Sequence, residues 1–317
     1  MPNLKDIRNR IKTVTNTKKI TQAMRMVAAA KVKRAETGVK SSRPYTEALV
    51  HLFYRLITNI DTKQVDANQS SLMSMIKPRE IRSVGLIICS SDRGLCGAYN
   101  STIIRQAFNL ERKIKAKGLV PKFYLVGNKI IQAFSRYSDA SILGKSSGFT
   151  AAPAYENAEQ ISNTMVQAFL ADEIDTIDVL STHFISLISS KVKVTPVNPI
   201  RSLSDLMPAG LENAKLPNEK SETETKSETG PNSELLVSPD VFTVLNHLVP
   251  MYTTNSIYNL LLEGAASELA ARMTAMSNAT NNAGEMIQTL SIQYNKARQS
   301  AITQEILEIV SGADALK

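Results

Sequence analysis

Leu4, Ile7, Ile11 and Val14 recur at steps of three and four residues, and Ala28, Val32, Ala35 and Val39 resume the rhythm further along. That spacing sets one apolar stripe along a helix and predicts helix over about residues 3–59. Lys18, Thr21 and Arg25 occupy the stripe between the two runs, so its middle is polar. The alanine run 28–30 favours helix. Pro44 has no N–H to give and is expected to kink or interrupt it. From about residue 80 the period changes. Val84-Gly85-Leu86-Ile87-Ile88-Cys89 reads as a strand buried on both faces. Phe123 to Gly127, Ile177 to Ile185 and Val192 to Pro196 read as further strands. Between them, Ile103, Ala107, Leu110 and Ile114 mark one helix, and Ala158, Ile161, Met165 and Phe169 another. Strand alternating with helix predicts a Rossmann-like α/β domain over about 80–200, its sheet largely parallel.

Residues 201–237 break this pattern. Between Glu212 and Glu234 there are six acidic and three basic residues and almost nothing apolar, a composition that cannot offset its own ordering entropy. An acidic, flexible linker is expected. Helical sequence restarts at Ser238-Pro239-Asp240, where serine suits the N-cap, proline the first turn and aspartate the positive end of the helix dipole. Pro250 is expected to bend this helix. Beyond it Leu262, Ala266, Leu269, Met273, Met276, Thr280, Ala283, Ile287, Leu290, Tyr294, Ala297 and Ala301 alternate steps of four and three. A sustained 3.5-residue period is that of a left-handed coiled coil.

Residues 251–311 as one helix would run about 90 Å, and residues 3–59 about 80 Å. A compact chain of this size is only about 50 Å across. The two terminal helices, 1–60 and 238–317, are therefore expected to pair antiparallel and project from the central domain as a rod. Its seam is thin, rich in Ala, Thr, Lys and Met, so each turn contributes little area. Surfaces from another protein are expected to complete it.

Charge sharpens that picture. Residues 1–43 carry twelve Lys/Arg against Asp6 and Glu36, a local +10 where all 317 residues sum to +8. Such a segment suits nucleic acid, an acidic protein surface or an anionic membrane face. With no aromatic before Tyr45 there is no platform for stacking bases, so nucleic acid is the poorest of the three. No stretch is apolar for the roughly 18 residues a membrane span needs. The start, Met-Pro-Asn-Leu-Lys, reads as no targeting segment. Cys89 and Cys96 are too few for a disulfide framework, and His51, His183 and His247 form no zinc spacing.

Candidate chemistry is sparse. Asp92-Arg93-Gly94-Leu95-Cys96-Gly97 follows the first strand, where a dinucleotide-binding turn would lie, but it lacks the full glycine spacing and Asp92 would repel a phosphate. A tight strand-to-helix turn is the preferred reading. Gly144-Lys145-Ser146 resembles the end of a P-loop, yet Asp139 stands where the earlier glycine is required. No catalytic residue, cofactor site or metal site is expected. The most specific segment is Tyr294 to Ala313, in which Arg298, Gln299, Thr303 and Glu305 place hydrogen-bonding groups on a helix.

Four segments in order resemble the γ subunits of F-type ATP synthases: Asn16 to Met24, the turn Asp92 to Gly97, Glu268 to Met276, and Ile302 to Ala313. The resemblance implies an antiparallel coiled coil of N- and C-terminal helices around a central α/β domain. It implies a non-catalytic rotor shaft that couples ion flow through the membrane c ring to ATP synthesis at three β-subunit sites. The implied partners are the α and β subunits, ε and the c ring, with no nucleic acid and with membrane contact only through the c ring. Arg298, Gln299, Thr303 and Glu305 match family positions that touch a β-subunit loop, and Met24 matches one facing the acidic β lever region. The chloroplast type carries a cysteine pair before the last helix; no cysteine stands there in this chain, which puts thiol regulation in doubt. Ser267 to Met276 resembles cyanobacterial wording. The expected location is the cytoplasmic face of a bacterial membrane, with the thylakoid membrane as the alternative.

Overall fold

The computed structural model describes residues 4–59, 80–137, 141–199 and 241–314. The acidic linker and the Ser238 cap lie outside them. Helix α1, Leu4–Asn59, and helix α5, Val241–Asp314, run about 80 and 110 Å. They pack along each other, with Val32 against Leu269 and Val39 against Leu262 and Ala266. The seam is the stripe read from the sequence: Ile7, Thr21, Ala28, Val32 and Val39 are buried on α1, and Leu262, Ala266, Leu269, Met276, Thr280, Ala283 and Leu290 on α5. Its polar middle is paired across the seam, the Thr21 and Thr280 hydroxyls lying 2.8 Å apart. Farther down, Asn255 and Asn259 donate from Nδ2 to Thr46 Oγ1 at 3.0 and 2.7 Å. A buried polar pair fixes register, because sliding by one turn would strand both groups.

Neither proline interrupts its helix. Pro44 is exposed, on the face away from the seam. Lys40, four residues before it, is exposed as well, and Leu49, Val50, Phe53 and Leu56 anchor the segment that follows in a core. Tertiary burial outweighs the local cost.

Between the two helices runs the α/β body: β1 Ser83–Cys89, α2 Tyr99–Ala116, β2 Val120–Val126, α3 Asn128–Tyr137, β3 Ser141–Ser146, α4 Tyr155–Leu170, β4 Thr176–Phe184 and β5 Ser190–Asn198. The sequence reading passed over α3 and β3, both short, and Gly144-Lys145-Ser146 lies in β3 rather than in a phosphate loop. The strands form one sheet in the order β3-β2-β1-β4-β5, parallel except for the antiparallel β4–β5 hairpin. One face buries Leu86, Ile88, Phe123 and Leu125 under α2 and α3. The other buries Ile87, Val126, Ile177 and Val179 under α4 together with the lower rod, including Phe53, Tyr252 and Leu261. In this layer the rod takes the place of further helices. That is why every residue from Leu261 to Ala270 is buried, where a two-stranded coiled coil would hide only its seam.

Candidate functional site at the junction of rod and sheet

β1 lies between β2 and β4, and the chain leaves β1 toward one side of the sheet and returns on the other. The carboxyl ends of the strands at such a switch point open a crevice. Here α1 and α5 cross it and close one wall. The crevice holds about 550 Å3, lined by Met24, Val27 and Lys31 from α1, Glu268 and Arg272 from α5, and Asp92, Arg93, Asn128 and Thr150 from the sheet loops.

At the mouth of β1 the chain supplies its own anion. Asp92 accepts from the backbone N–H of Asn128 at 3.2 Å and of Thr150 at 3.1 Å, and from the Thr150 hydroxyl at 2.8 Å. Ser90 Oγ accepts from Ile130 N–H, and Ser91 O from Lys129 N–H, so three successive residues cap the start of α3. The donors that would cradle a phosphate are occupied by the carboxylate. Leu95 and Gly97 both adopt positive φ, consistent with a tight strand-to-helix turn. Burial disfavours charge on Asp92, but hydrogen bonds from Gly148, Thr150 and Asn128 outweigh it and hold the carboxyl below its ordinary value. A lowered folded-state pKa stabilises above the unfolded value and is lost as pH falls through the folded one. Asp92→Asn should cost about 1–2 kcal/mol at neutral pH, and less below about pH 4. Urea unfolding of both chains at pH 7 and pH 3 checks this; an equal gap at both would refute the assignment.

Inside the crevice Glu268 and Arg272 form an ion pair one helical turn apart, with Arg272 Nε 2.9 Å from the carboxylate. Lys31 and Arg93 add exposed positive charge at the rim. Cys89 is sealed in the core, its thiol pushed up to about 12 by burial, and burial also raises Cys96. Both are free thiols. Among the described residues there is no metal-holding cluster, and no helix is long and apolar enough to cross a membrane.

The residues singled out by sequence fall in two places. Met24 is half-buried and lines the crevice. Arg298, Gln299, Thr303 and Glu305 are all exposed near the far end of α5, where Thr303 donates to Gln299 O at 2.9 Å. Carrying the Thr21–Thr280 register along the rod puts Leu4 opposite Ala297. From Arg298 onward, about 30 Å beyond the level of Met24, α5 therefore extends past the described residues of α1. That tip exposes Ile302, Ile306, Leu307, Ile309 and Val310. Sequence reasoning singled out the turn holding Asp92 and Arg93 but missed the crevice residues Asn128 and Thr150, which join it only when the loops converge.

The ATP synthase family model matches residues 3–316. The chain belongs to the ATP synthase gamma chain family. It is 44% identical to the gamma chain of Nostoc punctiforme and 42% identical to that of a Picosynechococcus strain, each over the full length of both chains. Among solved structures, it resembles a chain of the central stalk and c ring of the Tetrahymena thermophila mitochondrial ATP synthase. That match has 26% identity and a TM-score of 0.55, covering 82% of this chain and 99% of that one. A chain of the Euglena gracilis mitochondrial ATP synthase, at 18% identity and TM-score 0.63, shares the fold over 99% of this gamma chain and 94% of its own length.

Proposed function

We propose that this gamma chain is the central rotor shaft of an F-type ATP synthase. In this reading the α/β body stands on the c ring with ε, and the rod rises into the bore of the ring formed by the α and β subunits. Ion flow turns the foot, the rod turns with it, and its unlike faces move the three β sites through different affinities. The nucleotide chemistry is done by those subunits and this chain does none. The observation that carries the reading is the tip of α5, where five large apolar side chains stand exposed beyond the described residues of α1. Such a surface needs a collar.

The basic helix fits the same assignment. Lys5, Lys12, Lys19, Lys33 and Lys40 recur every seven residues or multiples of seven and are all exposed, a positive row about 50 Å long on the outer face of α1. An acidic lever on the β subunits would be steered and aligned by it. Met24, Arg298, Gln299, Thr303 and Glu305 are the proposed β contacts, at two levels of the shaft. The chain would be held at the cytoplasmic face of a bacterial membrane, or at a thylakoid membrane, through the c ring.

The test is mutational. Arg298→Ala with Thr303→Ala should leave the chain co-purifying with α, β, ε and c subunits, while ATP synthesis by the reconstituted complex falls severalfold. Undiminished synthesis would remove these residues from the β contact, and failure of the parent chain to co-purify would remove the rotor reading.

A further inference from the structure

A shaft must take up torque without slipping where it meets its foot. We propose that α5 takes up that torque through a buried, hydrogen-bonded joint centred on Glu263, Gly264 and Ser267, an inference that rests on the rotor reading above. Three ties cross from the body to this single helical turn. His183 Nδ1, on β4, lies 2.7 Å from Glu263 Oε2. The Tyr99 hydroxyl, at the start of α2, donates to Gly264 O at 3.1 Å. Ser267 Oγ donates to Thr182 O, again on β4, at 3.2 Å. A fourth tie lies lower on α5, where Asn198 Nδ2 at the end of β5 donates to Thr253 Oγ1 at 2.7 Å. Every residue in the four ties is buried.

Successive helical residues are rotated by about 100°, so Glu263 and Gly264 hold α5 from different directions around its axis. A helix turning in its seat must stretch one tie or the other. Apolar packing alone is non-directional and allows neighbouring helices to shift or step past each other. Apolar residues of the same volume in place of His183 and Glu263 would hold the two faces about as firmly against separation. They would not define an angle. The directional bonds do, and breaking any of them leaves a buried donor or acceptor without a partner. Geometry supports each tie from behind: Thr195 Oγ1 stands 3.1 Å from His183 Nε2 and orients the ring. Burial raises the Tyr99 phenol well above its ordinary value, so it stays a donor. A Cβ at Gly264 would stand 3.6 Å from the Tyr99 oxygen, in ordinary van der Waals contact, so the phenol already packs closely against this turn of α5.

The test uses the complete assembled complex, with a bead on the α/β body and the catalytic ring held to a surface. Torsional compliance is read from angular fluctuations, and ion pumping per ATP hydrolysed is read on the same preparations. The variants are Tyr99→Phe with Ser267→Ala, each also made alone, and Glu263→Gln beside Glu263→Leu. Four ties of similar net strength act in parallel, so losing two should about double the compliance of the joint. Pumping per ATP should fall at high opposing gradient, with unloaded hydrolysis unchanged. Glu263→Gln, which keeps an acceptor for His183, should stay near the parent, and Glu263→Leu should not. Unchanged compliance in the assembled Tyr99→Phe and Ser267→Ala variants, or equal behaviour of the two Glu263 variants, would overturn the joint. A parent complex that does not rotate the bead at all would overturn the rotor reading beneath it.

Discussion

Phe53→Ala should destabilise the chain by about 3–5 kcal/mol, more than any other single truncation along the rod. Phe53 is fully buried and stacks on Tyr252 of α5 with ring centroids 5.3 Å apart. It sits where three layers meet: the lower end of α1, the first turns of α5, and the sheet face carrying Ile87 and Val179. A buried phenylalanine removes about 200 Å2 from water, worth about 5 kcal/mol at 25 cal/mol per Å2. None of these three layers can move into the gap without leaving the others, so the cavity should persist. Denaturant unfolding of the purified chain measures the loss. Tyr45→Ala, at a residue about half exposed on the same helix, is the control and should change little. A Phe53→Ala loss under about 1 kcal/mol would mean that rod and sheet do not share this core.

Gly127→Ala should cost about 4 kcal/mol, from two sources that a second glycine separates. Gly127 joins β2 to α3 at φ +96°, a conformation that L side chains rarely adopt. A Cβ there would also lie 2.6 Å from Ser90 O and 2.7 Å from Ser90 Oγ, the oxygen that accepts from Ile130 N–H. Relief would have to push the end of β1 away from the start of α3, unmaking the cap that Ser90, Ser91 and Asp92 provide. Gly118, at φ +75°, has open space around it, and a methyl added there would meet nothing within 4 Å. Gly118→Ala should therefore cost only the backbone strain, about 1–2 kcal/mol. Unfolding curves for the two variants isolate the steric part, and equal losses would show that Ser90 and Gly127 are not in contact.

The rod was legible because its signal is periodic and long. Steps of four and three from Leu262 to Ala301 can be counted without knowing the partner helix, and each of those positions is buried or half-buried. The central strands were legible for a related reason: β1 and β2 are buried on both faces and so are nearly uniformly apolar. α3 and β3 were not. α3 buries Ile130 and Phe134 one turn apart but its ten residues repeat that step only once, and β3 lies at the sheet edge with no fully buried residue and so offers no apolar run. Pro44 misled because its local rule is correct for an isolated helix. Only the core under Leu49, Val50 and Phe53 shows what holds the chain helical on its far side.

The candidate site divides the same way. Met24, Arg298, Gln299, Thr303 and Glu305 were singled out by resemblance over contiguous helical segments and are proposed as β contacts, to be tested by the variants above. The crevice around Asp92 and the joint around Glu263 could not be read, because their members stand dozens of residues apart, with 36 between Asp92 and Asn128 and 80 between His183 and Glu263. Sequence by itself determined which residues face inward along the two long helices and the central strands, since side-chain direction follows from the local 3.6- and 2-residue repeats. Tertiary structure alone decided which inward faces meet and which polar groups close on one another, since hydrogen bonds need contact within about 3 Å and no local repeat encodes what lies across a gap.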